Sequence, residues 1–276
     1  MELLRPFLSI WRMHLANALQ YRAAVWAQLT TNIFWGFVRT VMMLVFYRYG
    51  LQQIAGYEAG LSLAQAVSHV WLVQIALHLL PGNLIDAEIR EKIRSGDVAL
   101  ELCRPLDLYA HWFTRALAMR LGRFFLQLIP VTTVAMLLLP MPYRLQPPAS
   151  CAGLFAFCAS LLLGCLLSCA LVGLSYVLLL RVSWGDGPVI ILKIISDLLS
   201  GAELPLQLWP AWAQRLLAAQ PFASLLDLPL RLYTGTLAPS EFWSVAAIQL
   251  AWLVLFMGVG WLLMQGSLRR LLIQGG

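Results

Sequence analysis

The stretch Gly82–Arg115, GNLIDAEIREKIRSGDVALELCRPLDLYAHWFTR, is the polar interruption around which the rest of the chain is arranged. It holds six of the thirteen acids (Asp86, Glu88, Glu91, Asp97, Glu101 and Asp107), interleaved with Arg90, Lys92, Arg94, Arg104 and Arg115. On either side the sequence is apolar: 61% of the 276 residues are hydrophobic, only 12% are charged, and mean hydropathy is +0.77. Runs of about 20 apolar residues cross a bilayer as helix, whereas a barrel would need alternating segments of about ten residues, which are absent. The chain therefore reads as an all-α polytopic membrane protein, one transmembrane domain over 1–276, with Gly82–Arg115 as its main extramembrane loop.

Working outward from that loop, apolar runs predict six spans, at about Ala23–Tyr47, Leu61–Leu80, Ala116–Leu139, Ala149–Leu180, Pro188–Leu199 and Phe242–Met264. Residues 2–22 carry apolar side chains at three-to-four spacing and predict an interfacial amphipathic helix ahead of the first span. The Pro-rich run 204–241, with Trp209, Trp212, Phe222 and Tyr233, is too broken for a span and predicts short helices lying at the membrane surface. Basic residues decide the orientation. With both termini cytoplasmic, thirteen lie inside (Arg5, Arg12, Arg22, Arg90, Lys92, Arg94, Arg104, Arg115, Arg120, Arg123, Arg181, Arg269, Arg270) and four outside (Arg48, Arg144, Arg215, Arg231). That arrangement places the polar loop in the cytoplasm.

Charge inside hydrocarbon is expensive, so Arg39 in the first span, Lys193 and Asp197 in the fifth, and Glu203 just beyond it are candidates for a polar pathway. Lys193 and Asp197 stand one turn apart and can neutralise each other. Arg120 and Arg123 fall in the first turns of the third span, where they can reach back to the surface. The second span is unusually polar, with Gln65, Ser68, His69, Gln74 and His78, and so faces protein or water. In the fourth span Ala156, Ser160, Gly164 and Ser168 recur every four residues, a stripe that lets another helix or subunit approach closely.

Chemical motifs are lacking. No Gly-x4-Gly-Lys-Ser/Thr occurs, nor HExxH, nor GxSxG. The five cysteines (Cys103, Cys151, Cys158, Cys165, Cys169) form no CxxC pair, and no metal site is expected. The carboxylates Asp86, Glu88 and Glu91 could in principle serve acid–base chemistry at the membrane surface. Their alternation with Arg90, Lys92 and Arg94, the stripe Ile85, Ile89, Ile93, and a stop at Gly96 fit a short amphipathic docking helix better.

Glu88-Ile89-Arg90, Ile93-Arg94-Ser95-Gly96-Asp97-Val98 and Arg104-Pro105-Leu106-Asp107-Leu108-Tyr109 together resemble the loop of the bacterial permease subunits of ATP-binding-cassette exporters of the second type. Ser200-Gly201, Pro205-Leu206, Trp209-Pro210, Pro221-Phe222 and Tyr233-x-Gly235 resemble the break after their fifth span and the external helices. The resemblance implies a six-span subunit of a dimer, homomeric or heteromeric, in the bacterial inner membrane. A separate cassette ATPase dimer would bind ATP and Mg, with no cofactor in this chain. It also implies a coupling helix that meets the ATPase, for which Ile85, Glu88, Ile89, Arg90, Ile93, Arg94 and Asp97 are the candidate contacts. A lipid-modifying membrane enzyme and a non-transporting anchor or channel are the alternatives.

Overall fold

Local polar groups set where the helices of this chain begin and end. The structure is a computed structural model and describes residues 22–50, 60–83, 86–102, 107–141, 143–181 and 186–274. The amphipathic helix expected over 2–22 lies, but for its last residue, outside the described residues, as do Ile85 and the Arg104-Pro105-Leu106 motif. Helix α1 (Arg22–Val45) runs on into a wider turn at Phe46–Gly50. Helix α2 (Leu63–Ala76) starts at Ser62, whose hydroxyl accepts from Gln65 N while the Gln65 side chain accepts from Ser62 N. This reciprocal pair satisfies two otherwise orphaned donors. Two 3-10 turns, Leu77–Leu79 and Pro81–Asn83, follow it.

The polar loop contains α3 (Ala87–Ser95) and the single turn α4 (Val98–Glu101). Then come α5 (Leu108–Thr133, extended by Val134–Leu138), α6 (Cys151–Arg181) and α7 (Gly187–Leu199). The short α8 (Ala211–Ala219) and α9 (Asp227–Thr234) precede the last helix, α10 (Phe242–Gln274).

Among the described residues, four stretches are long and apolar enough to cross a membrane: Trp26–Gly50, Leu108–Leu138, Cys151–Arg181 and Pro239–Leu268. Of the other two expected spans, the second falls a few residues short of Leu61–Leu80 and the fifth keeps the expected bounds, and both are short for a bilayer. Leu63–Leu79 is an apolar but short helical run. Helix α7 has 13 residues, which at about 1.5 Å per residue falls well short of the roughly 30 Å hydrocarbon layer. Breaks, not composition, shorten them. Pro81 halts the first, and the second ends ahead of Gly201, whose φ of 80° is left-handed.

Helix α6 is the centre of the fold, packed by α5, α7, α9 and α10. Its small residues decide how. A Cβ added to Gly164 would lie 2.8 Å from the Leu225 carbonyl oxygen and 3.0 Å from that of Ser224; one added to Gly153 would lie 2.9 Å from the Leu232 oxygen. Gln249 of α10 donates to the carbonyls of Ser160 (2.9 Å) and Ser224 (2.8 Å), and the Ser160 hydroxyl donates back to Gln249 at 3.1 Å. Ala156, Ser160, Gly164 and Ser168 are all buried. The stripe thus receives the backbone of the 222–234 segment as well as a helix. Leu225, Leu226, Leu230 and Leu232 of that segment are almost fully buried, so this part of 204–241 belongs to the core; Trp212 alone of the four aromatics named above is largely exposed.

Helices α1 and α2 are antiparallel. Asn32 Nδ2 donates to the Gln74 carbonyl at 2.9 Å, Gly36 presses on the Trp71 ring, and Met43 clusters with Ala66 and Val70. A second buried cluster, around Ile89, Tyr109, Trp112, Tyr176, Val189 and Met264, joins the polar loop to the near ends of α5, α6, α7 and α10.

Candidate functional site

The polar loop is fastened rather than loose. Asp86 precedes α3, and its carboxylate accepts from Glu88 N (3.0 Å) and Ile89 N (3.4 Å), filling the first turn's free donors. Its own N–H donates to the Tyr176 hydroxyl of α6 at 2.8 Å. Arg115, about two turns into α5, holds Asp86 through Nε and Glu88 through Nη2. Lys92 bridges Glu88 (2.6 Å) and Glu101 (2.8 Å), and Trp112 Nε1 donates to the other Glu101 oxygen at 2.8 Å. At the far side Asp186, just before α7, pairs with Arg94 (2.9 Å) and Arg90 (3.5 Å). Gly96 ends α3 with φ 83°, a left-handed conformation that suits glycine. Asp107 starts α5, accepting from Ala110 N at 2.8 Å.

This network shifts ionisation in the loop. Hydrogen bonds from Arg115 and Lys92 hold the Glu88 carboxyl down at about 2. Glu101 would be pushed up by its burial, but its hydrogen bonds from Lys92 and Trp112 outweigh that and lower it. Lys92 is raised by Glu101 and then by Glu88. All three stay charged across the neutral range.

The structure revises the surface expected for docking. Ile89 is 1% exposed and anchors the inner cluster, and Ile93 packs beside it. Of the apolar stripe that looked available to a partner, Ile89 and Ile93 face the protein's own helix ends, while Ile85 lies outside the described residues. Glu88, Arg90 and Arg94 are engaged in ion pairs, Arg94 remaining half exposed. The outward rim consists of Glu91, Arg94, Ser95, Asp97 and Leu100, the last 70% exposed. Leu100 was not anticipated; it lies outside the Ile85–Ile93 periodicity and only the turn at Gly96 brings it to the rim. Asp86, one of the three acids considered for acid–base chemistry, serves as helix cap and Arg115 partner, a structural position.

The charged residues expected inside the spans are brought together around a second feature. Arg39 Nη2 pairs with Glu203 at 2.7 Å while its Nη1 donates to the Ala202 carbonyl at 2.9 Å, and Lys193 pairs with Asp197 at 2.7 Å. All four line one cleft of about 680 Å³ bounded by α1, α2 and α7 and by the turn after α7. Gln74 and His78 of α2 and Asn32 of α1 also line it. Gly82 lets α7 approach: a Cβ there would sit 2.5 Å from Lys193 Cβ and 2.6 Å from its Cα. His69, by contrast, is committed elsewhere, its Nε2 2.8 Å from the Gly201 carbonyl oxygen.

Arg120 also departs from expectation. It does not reach the surface but is fully buried, donating to the Ser168 hydroxyl (3.2 Å), the Ala116 carbonyl (3.1 Å) and the Pro81 carbonyl (3.1 Å). Neither Asn32 nor Asp186 was singled out in the sequence. An amide amid apolar helix residues was the available signal for the first; for the second there was none, since its partners lie more than 90 positions away.

No curated protein and no solved structure matches the chain. A family model described as ABC-2 family transporter protein matches residues 33–275, from mid-α1 to the end of α10. With nearly the whole sequence matched, including both the fastened loop and the polar cleft, the chain belongs to the ABC-2 transporter family.

Proposed function

We propose that this permease is the membrane-spanning subunit of an ATP-driven exporter, coupled through the α3–α4 loop to a separate cassette ATPase. The observation that carries the reading is the mechanical fastening of the loop. Arg115 ties α3 to α5, Tyr176 ties it to α6, and Asp186 ties it to the start of α7, while one rim stays exposed. A force applied at Glu91, Arg94, Ser95, Asp97 and Leu100 is passed to three helix ends at once, because packed, ion-paired units move as bodies. Helix α7 lines the polar cleft, so motion of the rim reaches the cleft wall directly. In this reading ATP and Mg are held by the ATPase, both termini and the loop are cytoplasmic, a second permease subunit completes the pathway, and the membrane is the bacterial inner membrane.

The test is co-purification with a cassette ATPase co-expressed from the same genome. Glu91→Arg combined with Leu100→Asp, at exposed positions outside the ion pairs, should abolish association while insertion and melting temperature stay unchanged. Undiminished association would remove the loop from the coupling role.

A further inference from the structure

We infer that the cleft between α1, α2 and α7 binds an amphipathic molecule whose headgroup is uncharged and rich in hydrogen-bond donors. This deepens the transport reading above and rests on it for the fate of the molecule, though not for its binding.

Three observations point to that chemistry. The first is charge. The cleft carries two cations and two anions, and they are engaged pairwise, Arg39 with Glu203 and Lys193 with Asp197. A fully charged headgroup would have to give up water in exchange for counter-ions that already have one, a poor trade. The second is the polarity of the wall. Asn32 and Gln74 are 5% and 1% exposed, yet Asn32 Oδ1 and Gln74 Oε1 accept no hydrogen bond. The assignment of the Asn32 amide atoms is fixed, because its Nδ2 donates both to the Gln74 carbonyl and to Gln127 Oε1 at 2.6 Å; the oxygen is what remains. Buried acceptors without partners are costly and rare. Both residues line the cleft, and a rotation of either amide toward it would bring the oxygen to hydroxyl or amide donors on a ligand.

The third observation is the flank. Trp35, at the cleft's edge, is half exposed, and Ile194 and Leu198, next to Lys193 and Asp197 on α7, are 60% and 49% exposed. An apolar tail can lie on these surfaces while the headgroup occupies the cleft, whose volume falls within the range of small-molecule pockets.

The experiment measures equilibrium binding of radiolabelled octyl glucoside, below its micellar concentration, to the permease in nanodiscs. Octyl sulfate and octyltrimethylammonium serve as competitors with the same tail. Saturable binding is expected, with the charged competitors at least about tenfold weaker and with Gln74→Leu weakening the glucoside about tenfold. Equal or better competition by either charged probe overturns the inference, as does unchanged affinity in a folded Gln74→Leu protein. Should that variant not fold, Glu203→Gln decides: releasing Arg39 should raise octyl sulfate affinity about tenfold, and no rise overturns the neutral-cleft argument. A parallel measurement adds the partner ATPase. Selective binding without any change in ATP hydrolysis upholds the site and defeats the transport reading; hydrolysis stimulated equally by all three probes upholds transport and defeats the headgroup class.

Discussion

Arg115 shows how much a single side chain decides here. Its planar fork takes Asp86 with one nitrogen and Glu88 with another, a recognition that a lysine's point charge would not reproduce. The consequence for pH follows from Glu88. Its carboxyl is held at about 2 in the folded loop against an ordinary 4.5, so its contribution is fully present above pH 4.5 and is lost as pH falls towards 2. Hydrogen exchange of the α3 amides should accordingly be flat from pH 8 to 5, after correction for intrinsic rates, and quicken below pH 4.5, and Arg115→Gln should bring that loosening to neutral pH. Ile89 makes the complementary case. Burying it against Trp112 and Tyr176 predicts a loss of about 2–5 kcal/mol for Ile89→Ala, seen as a lowered melting temperature. Loss of ATPase association with no change in melting would show instead that its side chain faces outward. The Ile85-Ile89-Ile93 period shows that α3 has an apolar face; it does not say whether that face meets the same chain or another one.

At the scale of elements, α3 was legible because its signals are local: Gly96 as a stop, Glu88 and Lys92 one turn apart. The ends of α2 and α7 were legible too, at Pro81 and at Ser200-Gly201, whereas α5 begins at Leu108, eight residues ahead of the expected Ala116, because its polar first turns pack into the loop. Tertiary contacts explain α6. Its every-fourth-residue pattern announced close approach, yet the approaching partner includes the carbonyls of Ser224 and Leu225, which no periodicity in the sequence could reveal. Gly164→Val should therefore cost about 1–3 kcal/mol or more, since the atoms it meets are backbone and cannot rotate away. Gly258→Val, where an added Cβ meets nothing within 4 Å, is the matched control, and thermal unfolding in detergent compares the two.

For the whole molecule, the positive residues predict an orientation for the helices that pack, among the described residues, around α6. Single cysteines in a cysteine-free background test that orientation. A cysteine at Ser95 should react with an impermeant maleimide only in inside-out vesicles, and one at Trp212, which is 69% exposed, only in right-side-out vesicles; labelling of both from one face would overturn the assigned topology. The polar cleft was legible only in part. Arg39, Lys193, Asp197 and Glu203 announced themselves through the cost of charge in hydrocarbon, but that they share one cleft depends on Arg39 reaching Ala202 and Glu203 in the turn after α7, more than 160 positions away.

Arg120 carries a further consequence, for biogenesis. Its guanidinium is satisfied by Ser168 on α6 and by the Pro81 carbonyl at the end of α2, so α5 leaves the ribosome before one of its partners has been synthesised. Released alone into lipid, α5 would carry an unpaired arginine within its apolar stretch, at a cost of up to about 3 kcal/mol. Helix α5 must then wait beside the insertion machinery until α6 arrives, and the two enter the bilayer as a hairpin, closed by a residue whose charge serves assembly and not transport.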